Sequence, residues 1–190
     1  RVEDERVISA PPPLFSQQEL QRIQNDTAAR IANLRAKERL TQADIERIRM
    51  LEDLARADLS VARNEQERIA IEQRLLQIQQ RIAQAEQRHA LAVEEVARAE
   101  RDAAREELAR VQFDASRATT PEQQAAARRS VAEATERLAR AEERLISASR
   151  RLQQTDINLS QANAALSAGP TPAVNPLQQF LGLIVRGVAV

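Results

Sequence analysis

From Val131 to Leu166 a large aliphatic residue stands at every seventh position: Val131, Leu138, Leu145, Leu152, Leu159 and Leu166. Three residues after each of the first five come Ala134, Ala141, Ala148, Thr155 and Ala162. Alternating steps of three and four put both rows on one side of an α-helix, which is the spacing of a coiled-coil seam. A stripe of this period leaves water only by packing on a second helix of the same period. The chain must therefore supply a partner rod, or borrow one.

It has the material to build one. No glycine or proline falls between Gln17 and Ala118, and Ala, Arg, Glu, Gln and Leu dominate the composition. These are the strong helix formers, and the fold class they predict is all-α. Only Phe15, Phe113 and Phe180 are aromatic, and cysteine is absent. A compact globular core is correspondingly disfavoured, and an elongated antiparallel coiled-coil hairpin is expected, extended by a third helix into a bundle.

Local signals divide the rod. Ser16 and Glu19 have the spacing of a capping box, which starts a first helix near Gln17. The segment "TTPEQQ" is a stronger boundary: Thr120 can cap, Pro121 suits the first helical position, and Gln123 completes the box. Asn64 followed by Glu67 gives a further cap signal, so residues 17–118 read either as one long helix or as two that break at Asn64. The second reading gives helices of about 17–63, 65–118 and 121–167, similar in length, within a helical domain over 16–168.

A short turn at Thr119 and Thr120 makes the last two helices antiparallel neighbours, with residue i of the last facing about residue 239 − i of its predecessor. The predecessor carries a stripe of its own: Ile71, Leu75, Ile78, Ile82, Ala85, His89, Ala92, Val96, Ala99 and Ala103, in unbroken steps of four and three. This stripe is expected to receive the Val131–Leu166 row. Beyond Ala103 it moves by one residue to Ala104, Leu108, Val111 and Ala115, which predicts local unwinding of the supercoil. A seam so rich in alanine buries few methylenes, each contributing ~0.8 kcal/mol. Residues 17–63 or a second copy are thus wanted as cover. In that first segment Leu20, Ile23, Ile31, Leu34, Ile45, Ile48, Leu51, Leu54 and Leu59 are spaced less evenly, which predicts a kink near Leu40 and Thr41.

Both ends differ from the rod. Residues 1–15 include Pro11, Pro12 and Pro13, an extended arm ending in Leu14 and Phe15. Residues 169–176 form a Gly/Pro linker, and 177–190 an apolar tail with one charge, Arg186. Phe180, Leu181, Leu183, Ile184 and Val185 make that tail a docking segment for a protein partner, as Leu14 and Phe15 do for the first arm. The tail is too short to span a bilayer as a helix, and it is the one segment through which the chain could touch a membrane.

Little in the chain suggests chemistry. Glu86 and His89 share the spacing of a di-iron helix motif, but a single histidine cannot supply the two copies such a site needs. His89 reads instead as a seam residue, filling space or marking register. All three glycines lie at 169, 182 and 187, so no glycine-rich phosphate loop exists. The 28 basic and 28 acidic side chains cancel, and no aromatic platform accompanies the arginines. No catalytic centre, metal, cofactor or nucleic-acid partner is expected.

A structural or assembly subunit is the expected function: a rigid spacer whose arms dock on neighbours in a larger particle, such as a virion or an envelope-spanning machine. The repeat also resembles the helical rods of colicin-like bacteriocins and of secretion-system translocators, which implies as an alternative the rod domain of an exported toxin. A self-associating scaffold, identical hairpins pairing over the Ala-rich groove, is the third.

Overall fold

The computed structural model describes residues 17–170, the side chains of Gln17 and Leu20 excepted. Three helices make up the described residues: α1 (Gln17–Val61), α2 (Glu65–Ser116) and α3 (Pro121–Ala168). The Ser16 cap and the terminal docking residues Leu14, Phe15, Phe180, Leu181, Leu183, Ile184 and Val185 lie outside the described residues.

The break between α1 and α2 falls at Asn64. Its side-chain oxygen accepts the Glu67 N–H at 2.8 Å, and Glu67 reaches back to accept the Arg63 N–H at 2.9 Å. Two donors that helix geometry leaves without partners are thereby satisfied. At the second turn Thr120 accepts the Gln123 N–H, and the Gln123 side chain accepts the N–H groups of Thr119 and Thr120. Pro121 occupies the first turn, where no donor is needed. Gly169, at φ 73°, stops α3 in a conformation that side-chain-bearing residues avoid.

The two short turns make all three helices antiparallel neighbours in sequence order. α2 packs against both α1 and α3, whereas no Cα atoms of α1 and α3 come within 8 Å of each other. The architecture is an all-α antiparallel coiled-coil arrangement laid out as an open row around a central helix.

That row exists because α2 carries two seams. Thr41 of α1 meets His89, and Arg49 and Lys37 of α1 meet Glu86 and Glu95. The stripe Ile71, Leu75, Ile78, Ile82, His89 and Val96 therefore packs on α1, which corrects the expectation that it receives the Val131–Leu166 row. α3 packs on a different stripe: Leu76, Gln80, Ala83, Gln87, Ala90, Glu94, Ala97, Arg101, Ala104, Leu108 and Val111, again in steps of four and three. Ala83, Ala90, Glu94 and Ala97 on it are buried. Ala104, Leu108 and Val111 belong to this second seam from its start, so the apparent phase shift near Ala103 is one stripe giving way to another. With seven-residue geometry the two seams lie about 150° apart around α2.

Hydrogen bonds fix the α2–α3 register. In Gln80–Asn163, Gln87–Asp156 and Glu94–Ser149 the residue numbers total 243, and in the ion pairs Glu100–Arg144 and Glu107–Arg137 they total 244. These values exceed the expected 239 by about one helical turn. Side chains on a helix lean toward its N-terminus, so tips that meet across an antiparallel pair belong to Cα atoms offset along the axis, in this direction. Setting the seam layers one residue inside those pairs brings Ala83, Ala90, Ala97 and Ala104 level with Leu159, Leu152, Leu145 and Leu138. Small residues oppose large ones in these four layers, which fits the burial of Ala134, Ala141, Ala148 and Thr155 beside half-covered larger members of their row.

α1 is one continuous helix, with no interruption at Leu40 and Thr41. Its inner row runs Thr27, Ile31, Leu34, Glu38, Thr41, Ile45, Ile48, Glu52, Ala55 and Leu59 without a phase error. Ile45 and Ala55 are its most deeply buried members. Leu51 and Leu54, which the sequence places on this row, are exposed. The predicted kink disappears because Glu38, Thr41 and Glu52 are seam positions and Leu40 is not.

Candidate interaction surfaces

Three features of the ribbon bear on recognition. The first is a valley between α1 and α3, floored by α2. Its floor is Val93, Val96 and Ala97, with Ala148 beside them, and its walls carry Arg35, Arg39, Arg140, Arg144 and Arg151 among Glu38, Glu100 and Glu143. Glu100 sits at the middle: one carboxylate oxygen accepts from Arg35 of α1 at 2.7 Å, the other from Arg144 of α3 at 3.2 Å. Although no Cα atoms of α1 and α3 approach within 8 Å, one residue of α2 ties both. Such exposed pairs contribute ~0–1 kcal/mol each, so the clasp orients the flanks more than it stabilises them.

The second is His89, 7% exposed in the α1 seam. Thr41 is its hydrogen-bond partner across the interface, at 3.1 Å from Nδ1. Glu86, which shares the Glu-x-x-His spacing with it, is instead paired with Arg49 at 2.9 Å. No group of three or more His, Cys, Asp or Glu that could hold a metal ion gathers among the described residues.

The third was hidden in the sequence. On the side of α1 facing away from α2, Ala29, Asn33, Ala36, Leu40, Ala43, Arg47, Met50, Leu54, Ala57 and Val61 follow steps of four and three, and every one is exposed. Leu40 is 70% exposed, Met50 and Leu54 63% each, and Val61 71%. The signal that could have revealed it is the seven-residue recurrence of Leu40, Arg47, Leu54 and Val61. α3 has no counterpart. Its outward row reads Ala132, Glu136, Ala139, Glu143, Ile146, Arg150, Gln153 and Ile157, predominantly small or polar.

The sequence-derived seam residues thus divide between two interfaces: Ile71, Leu75, Ile78, Ile82, His89 and Val96 with α1, and Val131, Leu138, Leu145, Leu152, Leu159 and Leu166 with α2. Among the described residues no helix is long and apolar enough to cross a membrane. No family model, curated protein or solved structure matches the chain. What is defined at this point is an architectural class, an antiparallel three-helix coiled-coil ribbon.

Proposed function

We propose that this chain is a non-enzymatic structural subunit, a rigid spacer that holds two attachment points apart within a larger protein assembly. One observation carries the reading. Three antiparallel helices place the start of α1 and the end of α3 at opposite ends of the ribbon. In the observed registers Gln17 lies near the level of residue 113 and Ala168 near that of residue 74, so the two arms leave about 60 Å apart along the axis. The Pro-rich arm and the apolar tail provide the joints. A virion or an envelope-spanning machine is the kind of particle in which such a beam has a use.

The test uses the chain's lack of cysteine. Spin labels at Gln18→Cys and Ser167→Cys should give one narrow distance distribution near 60 Å, and a broad or much shorter one would remove the rigid beam. In native complexes, replacing Leu14 and Phe15 by Ser should release one partner, and replacing Phe180 and Leu181 should release a different one. Release of the same partner by both changes, or of none, would contradict a two-ended spacer.

A further inference from the structure

We infer that the outward face of α1 is a coiled-coil interface for a second copy of this chain, joined antiparallel about a two-fold axis near residue 45. This deepens the scaffold reading by naming its contact surface.

The face has the period of the two seams already closed inside the molecule, and it is the one seam of that kind left open among the described residues. A row from Ala29 to Val61 extends about 50 Å. Exposed large aliphatic side chains at coiled-coil spacing over such a length are a mark of an interface.

The second copy is favoured over another occupant because the row complements itself. About residue 45, residue i meets residue 90 − i of the partner. Ala36 then opposes the partner's Leu54, Ala29 opposes the partner's Val61, and Leu40 opposes the partner's Met50. This repeats the small-against-large layering of α2 on α3. Within the molecule, pairs that flank a seam on one side total two more than the layer sum, as in Lys37–Glu95 and Arg74–Asp58. Applied to the dimer, that rule sets Arg39 against the partner's Asp53 on both sides of the axis, and Glu46 against the partner's Glu46 on it. A register one heptad further on, at 97 − i, keeps comparable layers but sets Glu46 against the partner's Asp53. Like charges facing each other are destabilising, so two opposite-charge pairs against one like-charge pair favour 90 − i over 97 − i, where the charged flank pairs are all of like sign. The outward row of α3 has only Ile146 and Ile157 as exposed large apolar members among small and polar ones, so it offers no second continuous seam, and the contact closes as an isologous dimer and does not propagate. Two ribbons then make a six-helix row.

Sedimentation of the full chain at ~10 μM should show a dimer. Leu54→Glu should return it to monomer, weakening self-association at least about tenfold, with the helical circular dichroism unchanged. Met50→Glu is a second variant at an equally exposed position. The double variant Ala36→Cys/Leu54→Cys should oxidise to a disulfide-linked dimer, while Ala43→Cys/Leu54→Cys should link far less. A monomeric wild-type chain, or a dimer indifferent to both glutamates, would overturn the interface. Preferential linking of the second cysteine pair would overturn the register. A monomer would leave the distance between the arms untouched, so this inference and the spacer reading fail separately.

Discussion

The hydroxyl oxygen of Thr41 lies 3.1 Å from Nδ1 of His89, across the seam between α1 and α2. The same hydroxyl donates to the Glu38 carbonyl at 2.7 Å. Its single proton is therefore committed, and the remaining bond to His89 requires Nδ1 to carry the hydrogen and Thr41 to accept it. Two polar side chains are reconciled inside the seam by each having one defined role.

Thr41→Val removes that acceptor and leaves a buried imidazole N–H without a partner, at a cost of ~1–3 kcal/mol. Thermal melting should fall by several degrees, given ~2–4 °C per kcal/mol for a chain of this size. Thr41→Val combined with His89→Leu should recover most of the loss, because an apolar pair needs no hydrogen bond. Nitrogen-15 NMR of the wild-type ring should report the Nδ1–H tautomer. Additive losses in the double variant would show that the pair is not coupled.

Leu145 and Glu143 are two residues apart with opposite surroundings, one in the α3 seam and one in the wall of the valley. Leu145→Asp puts a charge into the layer shared with Ala97 and should cost ~3 kcal/mol or more. Glu143→Gln should change stability by less than ~0.5 kcal/mol. Denaturant titration separates the two, and equal effects would contradict the seam.

Gln80, Gln87 and Glu94 form a ladder of polar positions at seven-residue intervals, bonded to Asn163, Asp156 and Ser149. Polar seam residues lower stability and enforce register. Replacing all three with Leu should raise the melting temperature. It should also allow α3 to slide by one heptad, visible as a second peak in the spin-label distance between α2 and α3. A single sharp distance in the triple variant would show that register is set elsewhere.

Glu100→Gln removes the carboxylate that Arg35 and Arg144 share. The expected loss is only ~1 kcal/mol, smaller still at high salt because both guanidinium groups are exposed. Spin labels on α1 and α3 beside the valley should nevertheless give a broader distance distribution. An unaltered distribution would mean that packing on α2 alone fixes the angle between the flanks.

The sequence discloses helices, antiparallel turns and the α3 seam because those signals are local: Pro121 beside Thr120, and one leucine per heptad. Partner assignment along α2 was not legible in the same manner. Its aliphatic stripe attracts notice, whereas the stripe that meets α3 is built, between Leu76 and Leu108, from Ala, Gln, Glu and Arg alone, types common on a solvated face. α1 misleads in the opposite sense. Glu38 and Glu52 occupy inner positions, and the carboxylate of Glu52 pairs with Arg56 at 2.6 Å. Leu54, read as a member of a damaged inner row, belongs with Leu40 to an intact outer one. Counting phase from the buried Ile45 separates the rows, and hydrophobicity alone does not.

The gap between α1 and α3 has a thermodynamic corollary. Cohesion passes from one outer helix to the other only through α2 and the carboxylate of Glu100, as in a stack of repeats where each unit feels its nearest neighbours. In a single ribbon, detaching α1 strips one side of α2 yet leaves the pairing with α3 whole, so native-state hydrogen exchange on the undimerised chain should find α1 opening at a lower free energy than the rest. A beam of this kind yields by peeling, one strip at a time.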